Sequence, residues 1–309
     1  MENNCIQLTL TKKTCVLNGL TLKETYTNNN LLLNSSLLKC IENNGTKMFF
    51  NTEQNQLNKY QNSQKNGFIN IRYLEKVHGW GRVYAENGLG LCNFRKEIRQ
   101  TIAKNIYTDI DIVNCHFMIL YNLLESNNIK CKYLKKYIDN RDDILNKMML
   151  LFLITKDEAK ELFIRFLYFG SFDKWLKDNN IINNFLLDNE IVQFIFKFQK
   201  ELIKNCELLI NHNKTIFESI RNYKITMGKT LDNIKSSVCS HILQEFEKRI
   251  LEEVFIYCCN NGYIKNNNCV LCYDGIMIET INYKPELLTE LEDYIYNELK
   301  FKMKFVEKK

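Results

Sequence analysis

Ile106-Tyr107-Thr108-Asp109-Ile110-Asp111-Ile112-Val113-Asn114-Cys115-His116 reads as a strand that runs directly into a helix. Residues 106–113 alternate so that Tyr107, Asp109, Asp111 and Val113 share one face, the period of an extended chain. Asn114 then offers a helix cap, and Phe117, Leu120, Tyr121 and Leu124 recur at helical spacing until Ser126-Asn127-Asn128 stops the run. Carboxylates at a strand end suit a hard divalent cation, which needs oxygen ligands on a rigid element. They suit a solvated strand end equally well, and Asp109 in particular reads either as a third ligand or as a solvated neighbour.

Downstream, Val270-Leu271-Cys272-Tyr273-Asp274-Gly275-Ile276-Met277-Ile278-Glu279 sets an Asp-Gly turn between two apolar runs, a hairpin with strands over 269–273 and 276–280. Such a turn is common, but an aspartate on a packed sheet is also well placed to be a second metal ligand. Between the two carboxylate segments the chain is mainly helical, with helices expected over 142–153, 156–168, 184–209 and 231–259, and a last one over 285–300. In the second of these, Lys156 and Lys160 share a face and Tyr168 follows two turns later. That stripe suits a triphosphate with a stacked base or sugar, or else a solvated lysine face with Tyr168 in the core. Upstream, Gly81-Arg82 and the run Leu89-Gly90-Leu91-Cys92-Asn93-Phe94-Arg95-Lys96-Glu97-Ile98-Arg99 alternate cations with apolar residues, and 94–104 reads as a short basic helix. Phosphate contacts and a surface amphipathic helix both fit.

The chain around these segments has 309 residues, 45% of them hydrophobic and 12% aromatic, enough for a sizeable core. A net charge of +6 suits a polyanionic partner without requiring one. Twelve cysteines lack a framework spacing, and Met1-Glu2-Asn3-Asn4 opens no signal peptide, so thiols in a reducing, intracellular compartment are expected. Cys258-Cys259 with Cys269 and Cys272 has zinc-like spacing, but the second pair lies in an apolar strand with no turn between its members. No run approaches the ~20 apolar residues of a membrane span, so no membrane partner is expected. Residues 42–67 are rich in Asn and Gln and read as a mobile surface loop. Neither an internal repeat nor a phosphate-loop helicase motif is visible.

Taken in order and spacing, these segments resemble the superfamily of family A DNA polymerases and single-subunit, phage-type RNA polymerases, over roughly residues 79–280. Gly81-Arg82 through Arg99 is similar to the stretch that leads into motif A and contacts primer and template, with Leu91-Cys92-Asn93 in place of Leu-Gln-Asn. Asp111-Ile-Val-Asn-Cys-His116 is similar to motif A, with His116 where the DNA polymerases carry a Glu that gates the sugar. Lys156, Lys160 and Tyr168 match motif B, although Phe169 separates Tyr168 from Gly170, and Tyr273-Asp274-Gly275 looks like motif C with both flanks altered. The combination looks closest to the divergent branch found in virophages, transpovirons and related mobile elements.

The resemblance implies an α+β fold, a small antiparallel palm sheet carrying a large, mostly helical fingers insertion. Its parts would be an N-terminal segment with a reduced thumb over 1–70, palm over 71–128, fingers over 129–235, and palm with a C-terminal helix over 236–309. It implies template-directed nucleotidyl transfer by a DNA polymerase or primase-polymerase, with two Mg²⁺ (or Mn²⁺) held by Asp111, Asp274 and the carbonyl of Ile112. Lys160 and Lys156 would receive the triphosphate of a dNTP or NTP, with Tyr168 and His116 at its base and sugar. Arg82, Asn93, Arg95 and Arg99 would contact a DNA or RNA primer–template, and a separate helicase would act alongside. The rival expectations are an RNA polymerase or primase using NTPs, a degenerate nucleic-acid-binding module, a magnesium nuclease and an unrelated α+β protein.

Overall fold

The structure, a computed structural model, describes residues 6–26, 47–181 and 188–308. In chain order its elements are β1 (Thr21–Thr25), α1 (Lys47–Asn62), β2 (Phe68–Glu75), β3 (Val83–Ala85), α2 (Lys96–Ala103), β4 (Tyr107–Ile112) and α3 (Cys115–Ser126). There follow α4 (Lys132–Asp139), α5 (Arg141–Phe152), α6 (Lys156–Leu167), α7 (Phe172–Asp178), α8 (Glu190–His212), α9 (Lys214–Thr226) and α10 (Ile234–Asn260). The chain closes with β5 (Cys269–Leu271), β6 (Gly275–Glu279), α11 (Leu287–Leu299) and β7 (Phe305–Glu307). The fold is α+β, with small antiparallel sheets and a predominantly helical remainder. Two compact units divide it, a sheet unit of residues 13–113, 247–299 and 303–309 and a helical unit of residues 1–12, 114–246 and 300–302.

In the sheet unit, β5, β6, β4 and β7 form a four-stranded antiparallel sheet in that order. Its inner strand β4 has Tyr107, Thr108, Asp109, Ile110 and Ile112 all buried, so alternation is legible in its sequence but not in its burial. β1, β2 and β3 form a second antiparallel sheet, in which Ile69, Ile71 and Tyr73 of β2 face inward on alternate positions. The two sheets join where Lys23 N–H donates to the Asn267 carbonyl at 2.8 Å.

The Asn/Gln-rich stretch expected as a loop is instead helical over α1, residues 42–46 lying outside the described residues. Leu57 and Tyr60 are buried one turn apart on a face that the polar composition conceals. Polar neighbours close the contact: Gln56 Nε2 donates to the Asn93 carbonyl at 3.1 Å and Lys59 Nζ to the Asn87 carbonyl at 2.9 Å.

The helical unit is built round an aromatic cluster in which Tyr137 and Phe163 lie 4.3 Å apart, with Phe117 and Phe198 packed against them. Residues 6–12 belong here: Leu10 N–H donates to Asn213 Oδ1 and Asn213 Nδ2 to the Leu8 carbonyl, both at 2.8 Å. A capping box starts α6, Thr155 and Glu158 satisfying each other's backbone N–H groups. The expected helices over 142–153, 156–168 and 231–259 are present within a few residues as α5, α6 and α10. The helix expected over 184–209 is present as α8 from Glu190 to His212, residues 184–187 lying outside the described residues.

Candidate active site

Chemistry-bearing side chains converge at the end of β4. In the β4–β6 register Asp111 stands opposite Gly275, and Ile112 N–H donates to the Asp274 carbonyl at 3.1 Å, which ties the turn to the strand. A Cβ at Gly275 would lie 2.3 Å from the Ile110 carbonyl oxygen and 3.2 Å from Asp111 Oδ1, so glycine alone allows this approach. Tyr273 takes φ 62°, a left-handed conformation costly for a bulky residue, and so turns the chain within Tyr273-Asp274-Gly275.

The electrostatics follow from burial. Asp274 is pushed up to about 6, first by burial, then by the charges of Asp111 and Glu247. Asp109, the neighbour for which solvation was one expectation, is only 7% exposed. Burial raises its pKa too, and its Oδ2 accepts no hydrogen bond among the described residues. One cation reaches into this group: Lys308 Nζ contacts Asp111 Oδ2 at 2.7 Å. Burial works against the Lys308 charge, but the hydrogen bond to Asp111 and the charges of Asp111, Asp274 and Asp109 outweigh it and raise its pKa. Nothing in the sequence singled out Lys308.

Crowded carboxylates with one orphaned buried oxygen fit a hard divalent ion that retains some of its waters. No group of three or more His, Cys, Asp or Glu that could hold a metal occurs among the described residues, so Asp111 and Asp274 would hold an ion as a pair rather than as part of a larger carboxylate cluster. Cys258, Cys269 and Cys272 are buried thiols, raised in pKa by that burial.

The segment before β4 supports the turn. Arg82 makes a bidentate pair with the buried Glu247, at 2.5 and 2.8 Å, and its guanidinium lies 4.7 Å from the centre of the Tyr273 ring. Tyr84 flanks the same ring, and the Tyr273 hydroxyl makes a long 3.5 Å contact with Asn93 Oδ1. Arg95 pairs with Glu53 at 3.0 Å. The positive charge of Arg99 acts on Asp109, lowering its pKa against the effect of burial. Three of the four residues expected on nucleic acid are therefore engaged within the protein, two of them around Tyr273.

In the helical unit, Lys156 Nζ meets Asp142 at 2.7 Å and Lys160 Nζ meets Asp157 at 2.8 Å. Both carboxylates are exposed, so these pairs are weak. Tyr168 ends α6, and its hydroxyl makes a short hydrogen bond with His116 Nδ1, the two rings edge to face at 6.2 Å. The extra Phe169 takes φ 61° and turns the chain so that Gly170 N–H reaches the Arg165 carbonyl at 2.7 Å. A Cβ at Gly170 would lie 2.8 Å from the Arg165 Cβ, so the glycine is again required by space.

The fold of the chain matches the POL domain of Pol1 from M. smegmatis, solved in complex with DNA primer-template and dNTP, at a TM-score of 0.54 and 12% identity, over 97% of this chain. The likeness is one of fold, and the chain spans 57% of that domain's length. In sequence it is 29% identical over 265 residues to "Putative helicase V13" of Sputnik virophage, covering 85% of this chain. The match spans 32% of that relative, about a third of its length. No protein-family model matches the chain.

Proposed function

We propose that this chain carries out template-directed nucleotidyl transfer, as a DNA polymerase or primase-polymerase of a virus or mobile element. The observation that supports this best is the approach of Asp274 to Asp111 across the β4–β6 register, in a chain with a polymerase-domain fold. Asp111 and Asp274 would hold two divalent ions, with the Ile112 carbonyl as a further oxygen. Magnesium or manganese bound there would activate the attacking hydroxyl and neutralise charge on the triphosphate. Lys160 and Lys156 would exchange their surface aspartates for phosphates, so the helical unit would supply positioning and charge stabilisation. Tyr168 would stack on the nucleotide and orient His116 towards its sugar. The virophage relative carries a helicase name but is about three times the length of the matched span, so a helicase would act beside this chain or in a further domain.

One observation favours NTP use as a second reading. Position 116 presents an imidazole held by Tyr168, in place of the Glu that gates the sugar in the DNA polymerases that the chain resembles, so the gate against a ribose is altered here.

The test is incorporation of labelled dNTPs and NTPs with Mg²⁺, on one template with and without a primer. Asp111→Asn and Asp274→Asn should each lower incorporation by roughly a thousandfold while template binding persists. Near-normal synthesis in either variant would overturn the assignment of the carboxylates, and primer-independent use of NTPs would select the primase reading.

A further inference from the structure

The ammonium of Lys308 sits where the carboxylates of the sheet unit crowd together, and this inference rests on the divalent-ion reading of Asp111 and Asp274. β7 pairs with β4 with Ile110 opposite Glu307 and Asp111 opposite Val306. The next residue, Lys308, donates its backbone N–H to the Asp109 carbonyl at 2.8 Å. Its backbone is thus held by the strand that carries two of the three carboxylates. Its side chain, 32% exposed, turns back to Asp111 Oδ2 at 2.7 Å. A lysine ammonium takes one of the two lone pairs of this oxygen, and a hard cation coordinating the same oxygen at ~2.1 Å would stand close beside it. The two cations also repel each other at this separation.

We propose that Lys308 is a resident counter-cation of Asp111 and its neighbour Asp274, which competes with divalent ions for Asp111 and yields Oδ2 when one binds. The exchange is reversible and leaves every covalent bond intact. It keeps these crowded acids compatible with the fold while weakening the affinity of the site for a free ion. Stable loading then draws on a second contribution, which an incoming triphosphate supplies with its own oxygen ligands.

The test is Mn²⁺ binding to the full chain by calorimetry, with free Mn²⁺ followed in parallel by electron paramagnetic resonance, and without nucleotide. Lys308→Met should tighten binding by on the order of tenfold or more, because a unit charge beside the ligand oxygen is removed. Lys308→Arg should stay near wild type, and Asp111→Asn/Asp274→Asn should abolish the site in either background. Lys308→Gln repeats the measurement with a polar neutral side chain should the methionine variant fold poorly. Unchanged or weaker Mn²⁺ binding in the neutral variants, with binding still lost in the double aspartate variant, would overturn the role of Lys308 and leave the metal reading standing. Binding that is indifferent to the double aspartate variant, or absent throughout, would overturn both.

Discussion

Gly275 is required by space: its absent Cβ is what lets β6 lie against Ile110 and Asp111. Gly275→Ala should therefore cost about 1–3 kcal/mol or more through forced backbone displacement, read as a fall in the urea midpoint at constant slope. The same variant should weaken Mn²⁺ binding, since displacing β6 moves the preceding turn, and with it Asp274, away from Asp111. Arg82 illustrates the opposite lesson. As a cation beside glycine it reads as a phosphate contact, and within the sheet unit it also pairs bidentately with Glu247 and lies 4.7 Å from the centre of the Tyr273 ring. Arg82→Met should accordingly destabilise the sheet unit, by about 3–5 kcal/mol if Glu247 is left with its charge buried, measured by the same urea titration.

Glu24 of β1 links three elements. It is fully buried, accepts from the Tyr60 hydroxyl of α1 at 2.7 Å and from the Leu91 N–H at 3.0 Å, and so clamps the segment before α2 to the sheet. Burial pushes its pKa from 4.5 up to about 7, against the hydrogen bonds from Tyr60 and Leu91, which lower it. The sign follows directly: a carboxyl whose folded pKa is raised stabilises the fold most below its unfolded pKa, and that contribution is lost as pH rises through the folded value. A displacement of this size corresponds to on the order of 3 kcal/mol. Glu24→Gln, which cannot ionise, should gain stability relative to wild type between pH 5 and pH 8, and urea midpoints across that range check it. The helix α1 that meets this clamp was hidden in the sequence because Asn and Gln mask the spacing of Leu57 and Tyr60. By contrast, β4, α3 and α6 were legible because their periods, the α6 capping box and their stop signals are local, although Asn114, expected to cap α3, takes φ 53° and makes no side-chain cap hydrogen bond.

Across the chain the net charge of +6 remains consistent with a polyanionic partner, but the pairing of Arg82 with Glu247 and of Arg95 with Glu53 narrows which cations are available to it. On the polymerase reading, primer–template affinity should fall steeply with salt, with a logarithmic slope near −0.9 per duplex phosphate contacted. Arg82→Met should leave that slope unchanged, in contrast to its effect on stability, and fluorescence anisotropy over a KCl series measures both affinity and slope. The helical unit interrupts the sheet unit in sequence, residues 114–246 falling between β4 and β5, so the strands carrying Asp111 and Asp274 are distant along the chain but adjacent in register. Local signals were sufficient to bring out α+β character, most of the long helices, the strand that carries Asp111 and a hairpin at Asp274, although the turn is made by Tyr273-Asp274 with Gly275 already in β6, because periodicity, capping and turn chemistry act over a few residues. Lys308 on Asp111, the burial of Asp109, the bracing of Tyr273 by Arg82 and the pairing of β1 with β2 came only with tertiary contacts. Each joins groups far apart in sequence, and their charge states and hydrogen bonds depend on burial that no local pattern encodes.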